Sequence, residues 1–245
     1  MNTIPRVQDQ LFDSRLSSRQ KYAELVVGRP GLAALLKYEL VVLAAQSVPG
    51  AIGLVLRKVL YPRLLGACGR NVVFGQHVVV RHPHKIRIGR DVVVDDNCLL
   101  DAKGDDNGGI TIGDGVFIGR NTILSCKNGD IEIGRGANIG FNCEVFSASR
   151  VRIGADALLA AYCYVIGGGH DFSDPSLAVS EQGRRSTGVE VGDGVWMGAG
   201  VKVLDGVTVG AHAILGAGAV VTVAVPERAV AIGRPARIVG SRDDH

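Results

Sequence analysis

Aromatic side chains are scarce in this sequence: tryptophan, tyrosine and phenylalanine together make up 5% of its 245 residues. Aromatic rings supply much of the bulk of a layered globular core. Their scarcity, combined with 34 glycines and frequent valine and isoleucine, argues against such a core. It favours many short strands that are joined by tight corners.

The chain also lacks excess positive charge over most of its length. Residues 1–65 contain nine Lys/Arg and four Asp/Glu, a net charge of +5, so residues 66–245 carry −2 of the total +3. A nucleic-acid-binding fold needs its basic residues on the folded surface, and a basic head on a near-neutral body argues against one. The first thirty residues are too polar for a signal peptide. We therefore expect a cytoplasmic protein whose five cysteines are free thiols.

The main positive feature is a period of six residues. From Cys68 onward an aliphatic residue followed by a small or acidic one recurs every six positions, most clearly in VGDGVWMGAGVKVLDGVTVGAHAILGAGAV from Val191. Three hexads form one turn of a three-sided coil, so the repeat predicts an all-β solenoid of about seven coils. The predicted coil starts are Cys68, Ile88, Ile112, Ile133, Ile153, Val191 and Val209.

The spacings between these starts are 20, 24, 21, 20, 38 and 18 residues. In this phase every excess over eighteen follows the third hexad, so all insertions leave from one edge of the solenoid. Insertions on one edge of a solenoid commonly form its binding face. The longest insertion follows the coil that starts at Ile153, and it is the first candidate for a functional loop.

Two further columns of the repeat support the coil. The fourth hexad position is occupied by residues that tolerate the left-handed backbone angles of a sharp corner: Asn71, Asp91, Asn97, Gly115, Asn121, Gly136, Asn142, Asp156, Gly194, Gly200, Gly206 and Gly218. The fifth position of the middle hexads carries small side chains, Cys98, Thr122, Cys143 and Cys163. We expect these cysteines to fill a narrow lumen as small apolar residues and not to form disulfides.

The long insertion reads GGGHDFSDP from Gly167 and continues to Gln182 and Gly183. With the hexads, this motif resembles the hexapeptide-repeat acyltransferases, closest to those that O-acetylate sugars and polysaccharides, over residues 68 to about 239. The resemblance implies a left-handed parallel β-helix, although crossover rules alone favour the right hand. It divides the chain into an N-terminal helical extension, 1–65, and an acyltransferase domain, 66–240, with a catalytic loop at 167–188. It also implies acetyl-CoA or another acyl-CoA as co-substrate and a homotrimer with active sites between subunits.

The same resemblance assigns His170 as the general base for acyl transfer to a hydroxyl or an amine. Imidazole suits this task because it titrates near neutral pH; the alternative is that the ring only packs within the loop. Asn142, Glu144 and Asp174 correspond to acceptor contacts. Galactoside and maltose acetyltransferases carry Asn-Phe-Asn where this chain has Gly140 before Phe141 and Asn142, which argues against those particular sugars.

The acyl donor is expected along the last coils. The resemblance places Ala199 where a backbone amide holds the thioester carbonyl, and a donor of this kind is worth about 3–4 kcal/mol. Val223 replaces a lysine that the family uses near its C-terminus, so an arginine is expected to contact the coenzyme phosphates instead. The full set of expected coenzyme contacts is Trp196, Gly198, Ala199, Gly216, Ala217, Thr222, Arg234 and Arg237.

Two alternatives remain open at this point. A non-catalytic β-helix that acts as a scaffold or binding subunit would share the repeat, but it has no need for the His170 loop together with the Trp196–Ala199 stretch. A metal site would need histidines from different coils, whereas His77, His82 and His84 lie within eight residues. We therefore expect surface histidines and no metal.

The head contains two predicted helices, residues 32–46 and 52–63, separated by Pro49 and Gly50. In the second, Ile52, Leu56, Val59 and Leu60 are predicted to form one apolar stripe, with Arg57 and Lys58 outside it. Both helices are too short to span a bilayer. We expect them to cap the open end of the solenoid or contact another subunit; peripheral contact with the inner face of a membrane is the alternative.

Overall fold

The computed structural model describes residue 12 and residues 14–244. The described part of the head consists of α1 (Ser18–Tyr22), a π-helical turn (Ala23–Val27), α2 (Leu32–Ala45) and α3 (Gly50–Leu60), followed by a 3-10 turn (Tyr61–Arg63). Further 3-10 turns lie at Pro83–Lys85, Val179–Glu181 and Arg242–Asp244. Helix α3 starts where the Pro49–Gly50 pair predicts a break, because proline favours the first positions of a helix over its interior.

The rest of the chain forms three parallel sheets, each of which is one side of a coil. The first sheet contains β1 (Ala67–Cys68), β4 (Ile86–Ile88), β7 (Ile110–Ile112), β10 (Asp130–Ile133), β13 (Arg150–Ile153), β18 (Val189–Val191) and β21 (Thr208–Val209). The second contains β2 (Val73–Phe74), β5 (Val93–Val94), β8 (Phe117–Ile118), β11 (Asn138–Ile139), β14 (Leu158–Leu159), β19 (Trp196–Met197), β22 (Ile214–Leu215), β24 (Ala229–Gly233) and β25 (Ala236–Ser241).

The third sheet contains β3 (Val79–Arg81), β6 (Leu99–Asp101), β9 (Ile123–Cys126), β12 (Glu144–Ser147), β15 (Tyr164–Gly167), β20 (Lys202–Val203) and β23 (Val220–Val221). A separate two-stranded ribbon, β16 (Gly169–His170) and β17 (Arg184–Arg185), lies in the long insertion. The predicted solenoid is confirmed, and its parallel coils are consistent with the left-handed β-helix that the resemblance implies. Seven coils are complete, and β24 with a bridge from Val209 to Val225 begins an eighth.

The register of the first sheet confirms the predicted phase. Cys68 pairs with Ile88, Ile88 with Ile112, and so on through Ile133, Ile153 and Val191 to Val209. Each strand alternates because its inner residues pack in the lumen: Ile86 and Ile88 are buried while Arg87 is exposed. Cys98, Thr122, Cys143 and Cys163 are buried as predicted, and the cysteines are free thiols.

The corners also agree with the sequence pattern. All twelve residues predicted at fourth hexad positions have a positive φ, between 54° at Asn142 and 80° at Gly206. Four residues of less expected type share this conformation at equivalent corners: His77, Tyr162, His212 and Arg228. The insertions all lie between a strand of the third sheet and the next strand of the first sheet.

The head packs on the first coil by supplying hydrogen bonds that this coil lacks. Val73 and Val79 donate their amides to the second coil, at 2.9 Å from Val92 O and 2.8 Å from Cys98 O. The alternate residues of the first coil therefore point to the open end of the solenoid, and their carbonyls need donors from elsewhere. Tyr38 Oη donates to Val80 O and Tyr61 Oη to Val78 O, each at 2.9 Å.

The apolar stripe that was predicted for α3 is wrong, because the buried face of this helix includes an arginine. Ile52 and Val59 are 72% and 49% exposed, whereas Arg57 is 2% exposed. Its guanidinium donates to Phe74 O of the first coil at 2.9 Å, to Ala45 O at the end of α2 at 3.0 Å, and to Val48 O in the following turn at 2.7 Å. The arginine is buried because three carbonyl groups need donors at one place.

We predict that Arg57→Met, which keeps the apolar stem, lowers the free energy of unfolding by about 2–4 kcal/mol, because buried carbonyls lose a charged donor. Chemical denaturation followed by circular dichroism measures the change. The exposed Arg63→Met is the matched control and should stay within about 0.5 kcal/mol of the parent. Equal stability of both variants would contradict a capping role for Arg57.

Candidate functional site

The candidate catalytic loop is a folded hairpin on the insertion edge. His170 in β16 pairs with Arg184 in β17, in antiparallel register, and both residues are exposed. Within the described residues, the imidazole of His170 has no hydrogen-bond partner in its own chain. It is therefore held by its backbone and leaves both ring nitrogens available.

Side chains inside the loop fix its shape. Gln182 Oε1 accepts from Asp174 N at 2.8 Å, and Gln182 Nε2 donates to Asp174 O and Leu177 O at 2.8 and 3.0 Å. Next to His170, Asp171 accepts hydrogen bonds from Ser173 N at 3.0 Å and from Arg185 Nε at 3.1 Å. The hydrogen bonds from Ser173 and the nearby arginine keep the pKa of Asp171 below its ordinary value. The loop is thus braced on the C-terminal side of the histidine.

The base of the loop rests on the preceding coil. Ser186 Oγ lies 2.9 Å from Gly167 O and 2.8 Å from Ser149 Oγ. At Gly188, φ is 99° and a Cβ atom would lie 2.4 Å from Arg150 O, so glycine alone fits there. These contacts set the direction in which the hairpin leaves the coil.

The three candidate acceptor residues lie in different settings. Asn142 occupies a corner where Asn121 Nδ2 donates to its Oδ1 at 3.1 Å, so its side chain is part of a coil-to-coil ladder. Glu144 is exposed on β12. Asp174 accepts from Ser176 N and Oγ at 2.8 and 2.6 Å, and these bonds lower its pKa. Asp174 therefore holds a turn of the loop, which the sequence motif alone did not reveal.

Sequence reasoning missed two neighbours of Glu144. Tyr164 and Lys202 follow it in register on the outer face of the third sheet. Burial and the Glu144 carboxylate raise the pKa of Tyr164. The signal was present in the phase of the repeat, because Glu144, Tyr164 and Lys202 occupy the same position in consecutive coils.

The candidate donor residues lie on the last coils. Trp196 is 49% exposed on β19, and Ala199 and Ala217 are exposed at the corner between the second and third sheets. A Cβ atom at Gly198 would lie 2.7 Å from Ala217 N, so glycine lets these two coils approach closely. Gly218 N donates to Ala199 O at 2.7 Å, and Gly218 O accepts from Arg234 Nε at 2.8 Å.

Of the remaining donor candidates, Gly216, Arg234 and Arg237 lie near this corner, whereas Thr222 lies at the other end of the third sheet, after β23. Gly216 N donates to Ala231 O at 2.8 Å, and Thr222 and Val223 are exposed after β23. Arg237 Nη1 donates to Ala236 O, 2.9 Å away, and its other N–H groups have no partner within the described part of the chain. Arg234 is more firmly tied, because its Nε holds the corner next to Ala199.

The two halves of the candidate site lie at different corners of the solenoid. The His170 loop begins at the corner between the third and first sheets, whereas Ala199 and Ala217 lie at the corner between the second and third. The strands of the third sheet separate these corners. The structure therefore brings the donor candidates other than Thr222 together, but it does not bring His170 to them within one chain.

The histidine cluster before the second coil differs from expectation. His77 is exposed as predicted, but the prediction of surface histidines is wrong for His82, which is 5% exposed, and for the half-buried His84. The head covers both, and His82 Nε2 lies 2.8 Å from Glu24 O. Within residue 12 and residues 14–244, there is no cluster of three or more His, Cys, Asp or Glu side chains that could hold a metal ion.

Comparison with known proteins agrees with the repeat. The family model described as "Bacterial transferase hexapeptide (six repeats)" matches residues 188–222. The predicted resemblance is confirmed. A probable acetyltransferase of Mycobacterium tuberculosis, Rv3034c, is 32% identical over 133 residues, 54% of this chain and 44% of the relative. Galactoside O-acetyltransferase of Escherichia coli is 30% identical over 138 residues, 55% of this chain and 66% of the relative.

Each of these alignments covers less than two thirds of the relative's own length. A putative lipopolysaccharide biosynthesis O-acetyl transferase of Escherichia coli, WbbJ, is 29% identical over 102 residues, 39% of this chain and 52% of the relative. Solved structures share the fold. The polysialic acid O-acetyltransferase OatWY has a TM-score of 0.55 at 20% identity, over 72% of this chain and 86% of its own.

A second structure with the same fold is the N-acyltransferase AntD from Bacillus cereus, in complex with dTDP and 3-hydroxybutyryl-CoA. Its TM-score is 0.51 at 22% identity, over 73% of this chain and 84% of its own. Because both identities are under 25%, these two structures show that the chain shares their fold and nothing more.

Proposed function

We propose that this chain is an acyl-CoA-dependent acyltransferase that moves an acetyl group from acetyl-CoA to a hydroxyl or amine of a sugar or glycan precursor. The observation that carries the proposal is His170, exposed on a braced hairpin with no partner for its ring among the described residues of the chain. The names of the curated relatives, galactoside O-acetyltransferase and a lipopolysaccharide O-acetyl transferase, support a sugar acceptor.

In this reaction the acceptor oxygen or nitrogen attacks the thioester carbonyl carbon. His170 removes the acceptor proton as the new bond forms, and the carbonyl oxygen becomes an oxyanion. The backbone amide of Ala199 is proposed to stabilise this oxyanion. The carbon–sulfur bond then breaks, the imidazolium returns the proton to the leaving thiolate, and acetylated acceptor and coenzyme A are released.

We propose a homotrimer with sites between subunits, and the separation of the two corners supports an intersubunit site. His170 and Ala199 lie at opposite ends of third-sheet strands, and in the proposed assembly a loop from one subunit meets the donor corner of its neighbour. Glu144 and Lys202, exposed on the outer face of that sheet, are then placed to line the acceptor entrance. The donor is proposed to run from Trp196 along Gly198, Gly216 and Ala217 towards Thr222 and the two arginines.

The first test concerns the base. His170→Ala is expected to lower kcat by about 10²–10⁴-fold with an intact assembly, because only proton removal is lost. Release of free thiol from acetyl-CoA, measured across a panel of acceptor sugars and amines, gives the rate. His212→Asn is the control, because His212 is an exposed histidine with φ of 59° and asparagine tolerates that conformation.

Near-normal turnover of His170→Ala would contradict a catalytic histidine. If the parent protein binds coenzyme A but releases no thiol from acetyl-CoA with any acceptor, the non-catalytic binding subunit would be favoured instead.

The second test concerns the coenzyme phosphates. Arg237→Gln should raise the KM for acetyl-CoA several-fold with little change in the KM for acceptor, because it removes a charged phosphate contact. The dephospho-CoA thioester should be less sensitive to this change if the 3′-phosphate is the group contacted. Arg234→Gln is the comparison, because it also loses the hydrogen bond to Gly218 and should affect both substrates. Equal effects on both KM values in Arg237→Gln would indicate a structural role for Arg237.

The outer face of the head is proposed to contact an anionic membrane surface. Exposed aliphatic side chains follow α2 and α3: Leu32, Leu36, Leu40, Leu43, Ile52, Val55 and Val59. Exposed Lys37 and Lys58 lie on the same two helices, as in interfacial amphipathic helices. No helix within the described ranges is long and apolar enough to cross a membrane.

Intact protein should therefore sediment with vesicles that contain anionic lipid, and salt should weaken the binding, since each basic residue contributes about 1 kcal/mol of screened attraction. Leu40→Glu with Leu43→Glu should abolish sedimentation without changing the circular dichroism spectrum. Phe172→Glu, an exposed apolar residue remote from the head, is the control. Loss of a larger oligomer in the Leu40/Leu43 variant, with no vesicle binding by the parent, would assign this face to a subunit contact.

A further inference from the structure

The strand that pairs with His170 consists of two consecutive arginines. Arg184 and Arg185 form β17, and both are exposed. Neighbouring residues of a strand point to opposite sides, so the two guanidinium groups lie on opposite faces of the β16–β17 ribbon. The two arginines therefore meet different surroundings, although they are adjacent in the sequence.

One face of the ribbon carries the brace of the loop. Arg185 Nε donates to Asp171 Oδ2 at 3.1 Å. The two residues lie on a diagonal across the ribbon, because the residue directly opposite Arg185 is Gly169. The charge of Arg185 is thus compensated within the loop, and this face maintains the shape of the hairpin.

The other face carries the proposed base. His170 and Arg184 are directly opposite each other in the antiparallel register. The side chains of such a pair point to the same side of the ribbon, with Cβ atoms about 4.5–5.5 Å apart. In the described part of the chain, neither of these side chains forms a hydrogen bond or an ion pair. An imidazole and a guanidinium with open hydrogen-bonding positions therefore lie side by side.

Arg184 is unpaired even though the same loop contains three carboxylates. Asp171 is paired with Arg185. Asp174 and Glu181 accept backbone amides within the loop, at 2.8 and 3.3 Å. All three carboxylates are thus engaged in the fold of the loop, and the guanidinium of Arg184 is available for an anion that does not belong to the loop.

The acceptor of the proposed reaction has to approach this same face. Its reacting oxygen or nitrogen must lie within about 2.6–3.2 Å of a ring nitrogen of His170 to lose its proton. The groups that follow on the acceptor then lie beside Arg184. Its guanidinium has five N–H donors, and it pairs with a carboxylate or phosphate in a bidentate geometry. An acceptor that uses His170 is therefore placed next to an arginine that can bind an anion.

The charges that develop during the reaction also favour an anionic acceptor. His170 becomes positively charged as it takes the acceptor proton, and like charges directly opposite each other in a sheet are destabilising. With a neutral acceptor, the imidazolium faces the guanidinium without compensation. A carboxylate or phosphate on the acceptor offsets both positive charges, so it stabilises the transition state as well as the bound acceptor.

We propose that Arg184 is a specificity-determining residue of the acyltransferase site, and that it selects a sugar whose reacting hydroxyl or amine lies near a carboxylate or phosphate group. The proposal rests on acyl transfer by His170, and it narrows the acceptor from sugars in general to anionic sugars. Arg184 contacts the anion of the acceptor, whereas Arg185 holds the loop.

Matched acceptors with and without the charge test the proposal in the thiol-release assay with acetyl-CoA. One pair is glucuronate and glucose, and the other is glucosamine 6-phosphate and glucosamine. In at least one pair, the charged sugar should have a kcat/KM at least about tenfold higher than the neutral sugar, because only the charged sugar pairs with the guanidinium. The pair that shows the preference identifies carboxylate or phosphate as the anion.

Variants assign the preference to one residue. Arg184→Gln removes the charge and should lower kcat/KM for the charged sugar by about ten- to hundredfold, without lowering it for the neutral sugar and without raising the KM for acetyl-CoA. Arg184→Lys restores the charge without the planar fork and should recover part of the loss. Circular dichroism and size-exclusion chromatography confirm that each variant is folded and assembled.

Arg185→Gln is the matched comparison, because it changes the adjacent arginine on the opposite face. It loosens the brace at Asp171 and should lower turnover of the charged and the neutral sugar by the same factor. Loss of the preference for the charged sugar in Arg184→Gln, and its retention in Arg185→Gln, would distinguish contact with the acceptor from support of the loop.

Three results would overturn the role of Arg184 and leave acyl transfer intact. The parent might acetylate neutral sugars at least as well as their charged partners in both pairs, or Arg184→Gln might keep the preference for the charged sugar. In the third, Arg184→Gln raises the KM for acetyl-CoA, which would assign Arg184 to the coenzyme phosphates. A parent that releases no thiol with any acceptor would instead overturn the proposed function, and the role of Arg184 with it.

Discussion

The backbone register between successive coils is the constraint on which the whole structure depends. Each coil donates to the next at the same positions, as Gly89 N does to Ile112 O and Gly113 N to Ile133 O, both at 2.8 Å. A coil of eighteen residues closes in this register only if its corners turn sharply, and this requires left-handed residues such as Asn97 and Gly200. Extra residues must then leave the coil where they do not disturb the pairing. All insertions, including the His170 loop, accordingly share one edge.

This dependence on a local period explains why most of the fold could be predicted. The coil starts, the twelve corner residues and the place of the insertions follow from side-chain size and backbone preference, which are properties of each hexad. The His170 loop was also predictable, because it interrupts the six-residue period of the repeat. The structure adds the brace around it, because the bonds of Gln182 and Asp171 depend on how the loop folds back on itself.

The head was less predictable for a physical reason. Arg57 was predicted to lie outside the packed stripe, since a charged residue is usually exposed, yet it is buried against carbonyls that belong to the first coil. His82 and His84 were predicted to be surface residues because their spacing does not suit a metal site, and the head covers them. These positions are set by contacts between distant parts of the sequence, and no local pattern encodes such contacts. The roles of Glu144 and Asp174 are likewise decided by neighbours one coil or one turn away.

The two ends of the solenoid are finished differently, and this has a consequence for solubility. A repeat that pairs in register with itself can pair equally well with a second molecule, so an open terminal coil is a template for end-to-end growth into fibres. At the first coil, Tyr38, Arg57 and Tyr61 occupy the exposed carbonyls with side chains, which no incoming strand can replace without unfolding the head. At the other end β25 turns back antiparallel along β24 and presents the wrong strand direction to a further parallel coil. Both ends therefore act as terminators of polymerisation, and the number of coils stays fixed at the number encoded in the chain.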